Sequence, residues 1–157
     1  AMRESNAGFS LTELLVTISV VAVLTAMTVP NFSSMLADRE ARSITYELMS
    51  AIRFARSEAV KRNSVVFVSA YGDGWSSGWM VTDSDGTEIR SWMFPTPAIN
   101  VTESAGLSDL SFNGAGRLPG SASFAICASD AGSSDRRVVR ISSSGAPVIE
   151  LTGKCNA

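Results

Sequence analysis

The run from Leu14 to Ala37 carries no charged residue. It covers about two dozen positions, enough for a helix to cross a hydrocarbon layer about 30 Å thick. A helix that is apolar on every side must be surrounded by something apolar, which excludes an ordinary surface helix. One carboxylate, Glu13, stands just before the run. A lone acid at the edge of an apolar span is costly, which predicts a partner and a role for it. Pro30 falls inside the run. Proline costs a helix interior about 3 kcal/mol, yet it is tolerated as a kink in membrane helices.

The residues ahead of the run are short and polar and end in glycine: Met2-Arg3-Glu4-Ser5-Asn6-Ala7-Gly8. A secretory signal places its small-residue cleavage site after the apolar stretch. Here the small residue precedes it. A cut after Gly8 would discard the leader and keep the helix, with Phe9 as the new N-terminus.

Gly8, Phe9, Leu11, Glu13, Leu14, Leu15 and Pro30 together resemble the class III signal of type IV pilins and type II secretion pseudopilins. The resemblance implies that a prepilin peptidase cuts after Gly8 and methylates the amine of Phe9. It also implies that Glu13 pairs with the N-terminal amine of a neighbouring subunit. The leader departs from the family pattern in one respect: its Arg3 is offset by Glu4.

Past Pro30 the chain regains helical character. Ser34 to Arg62 lacks Gly and Pro and is rich in good helix formers. Ile44, Leu48, Ile52, Ala55 and Ala59 recur at three or four residues and form one apolar stripe, with Arg42, Glu47, Arg53, Glu58 and Arg62 opposite. One long helix is expected from Phe9 to about Asn63, roughly 80 Å at 1.5 Å per residue. β-Rich sequence follows. Strands are expected at Ser64–Ala70, Trp79–Thr82, Thr87–Phe94, Ile99–Thr102, Leu110–Phe112, Ser123–Cys127, Arg137–Ser142 and Pro147–Leu151. Turns are expected at Tyr71–Gly74, Asp83–Gly86 and Ser143–Ala146, with Pro95 and Pro97 ending the third strand. A single helix followed by strands predicts an α+β fold, a long N-terminal pilin helix, kinked near Pro30, packed against antiparallel β-sheets. The expected organisation is a leader over 1–8, a transmembrane or filament-core helix over 9–33, and a globular domain over 34–157. Within that domain, an amphipathic helix covers 34–63 and β-sheets cover 64–157.

A narrower resemblance runs through the globular part. Ala55-Arg56-Ser57-Glu58-Ala59, Gly74-Trp75 with Gly78-Trp79, Asp83 with Asp85-Gly86, Phe112-Asn113-Gly114 with Gly116-Arg117, and Arg137–Ser142 with Gly145 are similar to the GspH/FimT/FimU family, closest to its FimU branch. This implies two small sheets against the helix and a minor pilin, a structural adaptor of a type IVa pilus tip or priming complex. Implied partners are other minor pilins, the major pilin, the prepilin peptidase and the inner-membrane assembly platform. The implied location is the bacterial inner membrane, single-pass with a periplasmic globular domain, and then the pilus surface. The alternatives are a DNA-binding minor pilin for DNA uptake in natural transformation and a minor pseudopilin of type II secretion. In such an exported chain Cys127 and Cys155 read as one disulfide.

The FimT branch includes DNA-binding pilins of natural transformation, marked by a C-terminal Gly-Arg-x-Arg. Here the final turn reads Gly145-Ala146-Pro147-Val148, and Gly116-Arg117-Leu118-Pro119 lacks the second arginine. Arg117, Arg136, Arg137 and Arg140 remain the candidate DNA contacts. The net charge of -2 implies no polyanion partner for the chain as a whole. Histidine is absent, which removes His-based triads, general bases and metal ligands. The many serines therefore lack a base, and no Gly-rich phosphate loop opens a helix. No enzyme, cofactor or metal site is expected. Asp83-Ser84-Asp85-Gly86 resembles a calcium loop but lacks its later acids, so it reads as a hairpin turn. Trp75, Trp79 and Trp92 read as core.

Overall fold

A computed structural model describes residues 9–94, 99–128 and 135–155, without the side chains of 26–34. The leader with Gly8, the local effect of Pro30, and the expected strand terminators Pro95 and Pro97 lie outside the described residues. The helix α1 runs over Leu11–Arg62. Eight strands follow: β1 (Val66–Tyr71), β2 (Gly74–Asp83), β3 (Glu88–Met93), β4 (Ile99–Glu103), β5 (Asp109–Phe112), β6 (Ala122–Ala128), β7 (Asp135–Ile141) and β8 (Pro147–Lys154). The chain divides into two compact units, Ala1–Met35 and Leu36–Ala157.

In the first unit the helical surface is apolar and exposed. Leu14, Leu15, Val16, Ile18, Val20, Val21, Val23 and Leu24 all stand outward. The hydroxyls among them fold back onto the helix backbone. Thr17, Ser19 and Thr25 donate hydroxyl hydrogen bonds of 2.7–2.9 Å to carbonyls three or four residues earlier. Such back-bonding satisfies a hydroxyl without water, as an apolar surrounding requires. Among the described residues no helix is long and apolar enough to cross a membrane. The span expected over 9–33 includes residues 26–33, whose side chains are not described.

In the second unit the helical stripe is the core. Ala41, Ile44, Leu48, Ile52, Ala55 and Ala59 are buried, joined by Met49 and Ala51. Small residues at Ala51, Ala55 and Ala59 leave room for the sheets to come close. The helix ends at Arg62, one residue before the expected limit. Asn63 takes a left-handed φ of 49°. The Asn63 N–H donates to Val60 O and the Ser64 N–H to Ala59 O. This is the paired capping pattern that terminates a helix, with asparagine in the place usually taken by glycine.

The strands form two antiparallel sheets, ordered β3-β2-β1-β5 and β4-β6-β7-β8. Their inner faces join α1 in one apolar cluster: Val66, Val68, Trp79, Val81 and Phe112 from the first sheet, Val101, Phe124, Ile126, Val139 and Ile141 from the second. The second strand differs from expectation. It begins at Gly74, not Trp79, so the segment Gly74–Gly78 is strand. Glycine is a poor strand former, which hid it. Tertiary contacts override that preference. Trp75 stacks edge-on against Phe124 at 4.7 Å and donates its indole N–H to Leu107 O at 2.8 Å. A side chain at Gly78 would meet Trp92 O at 2.1 Å, so only glycine fits there. Trp75 and Trp79 are buried and Trp92 packs half-buried on the core, as expected.

The sheets are stitched together by Ser76. Its Oγ accepts from Val101 N–H at 2.9 Å and donates to Val101 O at 3.3 Å, so a β2 hydroxyl stands in for a strand partner of β4. Ser76→Ala leaves both groups unpaired in a part-buried place. The expected loss is about 1–3 kcal/mol. Denaturant unfolding should show a lower midpoint with unchanged slope. A midpoint equal to that of the parent would remove Ser76 from this role.

Candidate functional site

Two regions carry the residues singled out by the sequence. The first is the start of α1. Ser10 caps it, its carbonyl accepting from Leu14 N–H at 3.1 Å. Glu13 falls in the first helical turn. The free N–H groups and the helix dipole favour a carboxylate there. Glu13 is exposed, and among the described residues no ion pair reaches it. Phe9 and Leu11 are each 77% exposed, so the acid sits in an apolar collar. A carboxylate in that setting suits a cationic partner brought by another molecule, because desolvating it alone is strongly penalised.

The second region is the set of four arginines, and the structure does not gather them. Arg117 is exposed on the turn after β5, beside Gly116. Arg136 is exposed at the irregular start of β7 and lines, with Lys154, a shallow pocket beside the disulfide. Arg140 is exposed but tied to Glu150 across the β7–β8 hairpin at 2.8 Å. Arg137 is buried, on the inner face of β7, and its charge faces Asp38 of α1. Arg137 therefore has no surface from which to reach DNA, a correction to the sequence reading. Its strand position, in line with Val139 and Ile141, turns it inward.

Asp83–Gly86 forms a tight hairpin turn. Asp83 Oδ1 accepts from the N–H groups of Asp85 and Thr87, and Asp83 O accepts from Gly86 N–H. These bonds engage one carboxylate oxygen of Asp83, and the other faces Arg62 Nη1 at 3.6 Å. Cys127 and Cys155 are bonded, with Cα atoms 5.7 Å apart.

Sequence reasoning passed over three residues. Ser76 is the stitch described above. Asp38 is the partner of Arg137. Glu103 is a buried acid whose Oε2 accepts from the N–H groups of Ala105 and Leu107, each at 2.8 Å. It shapes the loop that presents Leu107 O to Trp75. An acid three residues before Gly106 in a polar loop was the signal available for Glu103. Nothing in the sequence singled out Asp38 or Ser76.

Residues 45–145 match the family described as Type II transport protein GspH. Residues 3–29 match the Prokaryotic N-terminal methylation motif. Two crystal structures of the Pseudomonas aeruginosa type IV minor pilin FimU are similar in fold, each with a TM-score of 0.61. One is 28% identical and covers 73% of this chain and 90% of its own. The other, in a different crystal form, is 26% identical and covers 73% of this chain and 98% of its own. No curated protein matches the chain in sequence.

Proposed function

The chain belongs to the GspH family, as a minor pilin with an N-terminal methylation motif, and from that premise we propose that it is a structural subunit of a type IVa pilus tip or priming complex. The observation that carries this reading is the start of α1: an exposed apolar helix with one acid in its first turn that meets no ion pair among the described residues. Prepilin peptidase cuts after Gly8 and methylates Phe9. Until assembly the apolar helix holds the subunit in the inner membrane, with the globular domain on the periplasmic side. On insertion Glu13 meets the N-terminal amine of the neighbouring pilin. The pairing neutralises two charges at once in a poorly solvated place and so fixes the step between subunits. The other minor pilins, the major pilin and the assembly platform are the partners. The role is structural, not enzymatic.

Support for a pilus subunit over a secretion pseudopilin comes from the two similar solved structures, both type IV minor pilins. The DNA-uptake reading draws little from the arginines, one buried and one already paired.

The deciding experiment replaces Glu13 with leucine in a strain relying on this copy. The variant should enter the membrane at normal level, since the helix becomes more apolar. Surface pili should fall about tenfold or more, because an incoming amine would be left unpaired. Normal piliation with Glu13→Leu would overturn the assignment of Glu13 to assembly.

A further inference from the structure

Arg137 stands among apolar neighbours. It shares the inner face of β7 with Val139 and Ile141, both almost fully buried. Its side chain is 7% exposed, that of Asp38 is 43% exposed, and Arg137 Nη1 lies 3.7 Å from Asp38 Oδ1. Both atoms are buried, and among the described residues neither has a hydrogen-bond partner. The pair is thus held by charge without the short, linear hydrogen bond that makes such pairs strong. A well-packed apolar pair of similar size would hold the two elements at least as firmly. Firm attachment alone does not explain the choice of charges.

The place of the pair does. Asp38 lies near the start of the unit Leu36–Ala157. Among the described residues full burial on α1 begins at Ala41; Met35 and Leu36 are exposed and Ala37 is half-buried. Ahead of Ala41 the described apolar contact thins to Ala37, which packs half-buried against the core. There, one ion pair among the described residues ties α1 to the sheets.

We propose that Asp38 and Arg137 form a releasable clasp that sets the point at which α1 parts from the globular domain. Closed, it holds the turn from Asp38 to Ala41 on β7. Open, the helix is held from Ala41 onward, and the turn before it follows the N-terminal part of the chain. Release is easy because no hydrogen bond joins Arg137 Nη1 to Asp38 Oδ1 and because the Asp38 side chain already reaches solvent.

Amide hydrogen exchange on the full chain in detergent micelles tests this. Arg137→Met keeps the length and apolar stem but removes the charge. Amides of residues 38–42 should then exchange about tenfold faster, while those of 51–59 stay within about twofold, as for a local opening. Asp38→Asn, which keeps shape and leaves Arg137 in place, should speed the same amides by about threefold or more. If Arg137→Met does not fold, the asparagine variant decides. Unchanged exchange over 38–42 in a folded variant would overturn the clasp. So would an acceleration spread evenly over α1 and both sheets, which marks a general loss of stability.

Discussion

Gly145→Ala should lower the melting temperature of the globular domain by about 10 °C, although it adds one methyl group to a turn. Gly145 closes the β7–β8 turn, its N–H donating to Ser142 O at 2.8 Å. Its φ is +79°, and a Cβ there would lie 2.3 Å from Gly116 O and 3.3 Å from Arg56 Cδ and Phe112 Cε1. Gly116 has no room to retreat. Its own φ is +70°, and a Cβ on it would already meet Arg56 Cγ and Val60 Cγ2 at 3.0 Å. Helix α1 and two turns are therefore stacked backbone against side chain. The left-handed conformation costs an alanine about 1–2 kcal/mol. Forcing the stack apart adds about 1–3 kcal/mol. Gly153→Ala is the control. Its φ of +63° carries the same backbone cost, but nothing lies within 4 Å of the added atom. Thermal unfolding should give a shift for Gly145→Ala at least twice that for Gly153→Ala. Equal shifts would show that backbone conformation, and not the stack, demands glycine at Gly145.

Cys155→Ser should have an effect of similar size, by a different route. β8 is an edge strand, paired with β7 and exposed along most of its length; Leu151 is 67% exposed. The ion pairs that flank it are surface pairs, worth little in water. A hydrogen bond from Lys154, and then its charge, hold the Asp135 carboxyl below the ordinary aspartate range. A lowered pKa means that whatever this pair contributes is present at neutral pH and is lost as pH falls through that pKa. The disulfide is the firm tie. It closes a loop across a sequence separation of 28 residues and links the end of β8 to β6, past β7. In the chain-entropy account such a loop is worth roughly 3–4 kcal/mol. A domain of this size has about 5–15 kcal/mol in total. Loss of the bond should lower the melting temperature by about 10 °C or more. Amide exchange should quicken first in Val148–Leu151. Two thiols titrating in the unreduced, denatured protein would contradict the bond itself.

The sequence by itself determined the large divisions of this protein. An uncharged run longer than a bilayer core with one acid at its edge marks an apolar helix at the start of the chain, because hydrophobicity and charge act regardless of the rest of the fold. The stripe from Ile44 to Ala59 was legible for the same reason: helical period alone places those residues on one face. The hairpin at Asp83–Gly86 and the pairing of the only two cysteines also followed from local chemistry. The tertiary structure decided everything that depends on what lies opposite. Gly74–Gly78 looks like a breaker in one dimension, yet it is strand because Phe124, Leu107 O and the Trp92 backbone wait for it. Arg137 looks like a surface cation, yet strand alternation turns it inward to Asp38, about a hundred residues earlier in the chain. Gly116 and Gly145 look like ordinary turn glycines, and only their meeting under Arg56 shows why no side chain fits. Local pattern records what each segment prefers. Which preference survives is settled by close packing between segments far apart in sequence, and no single stretch of the chain contains that information.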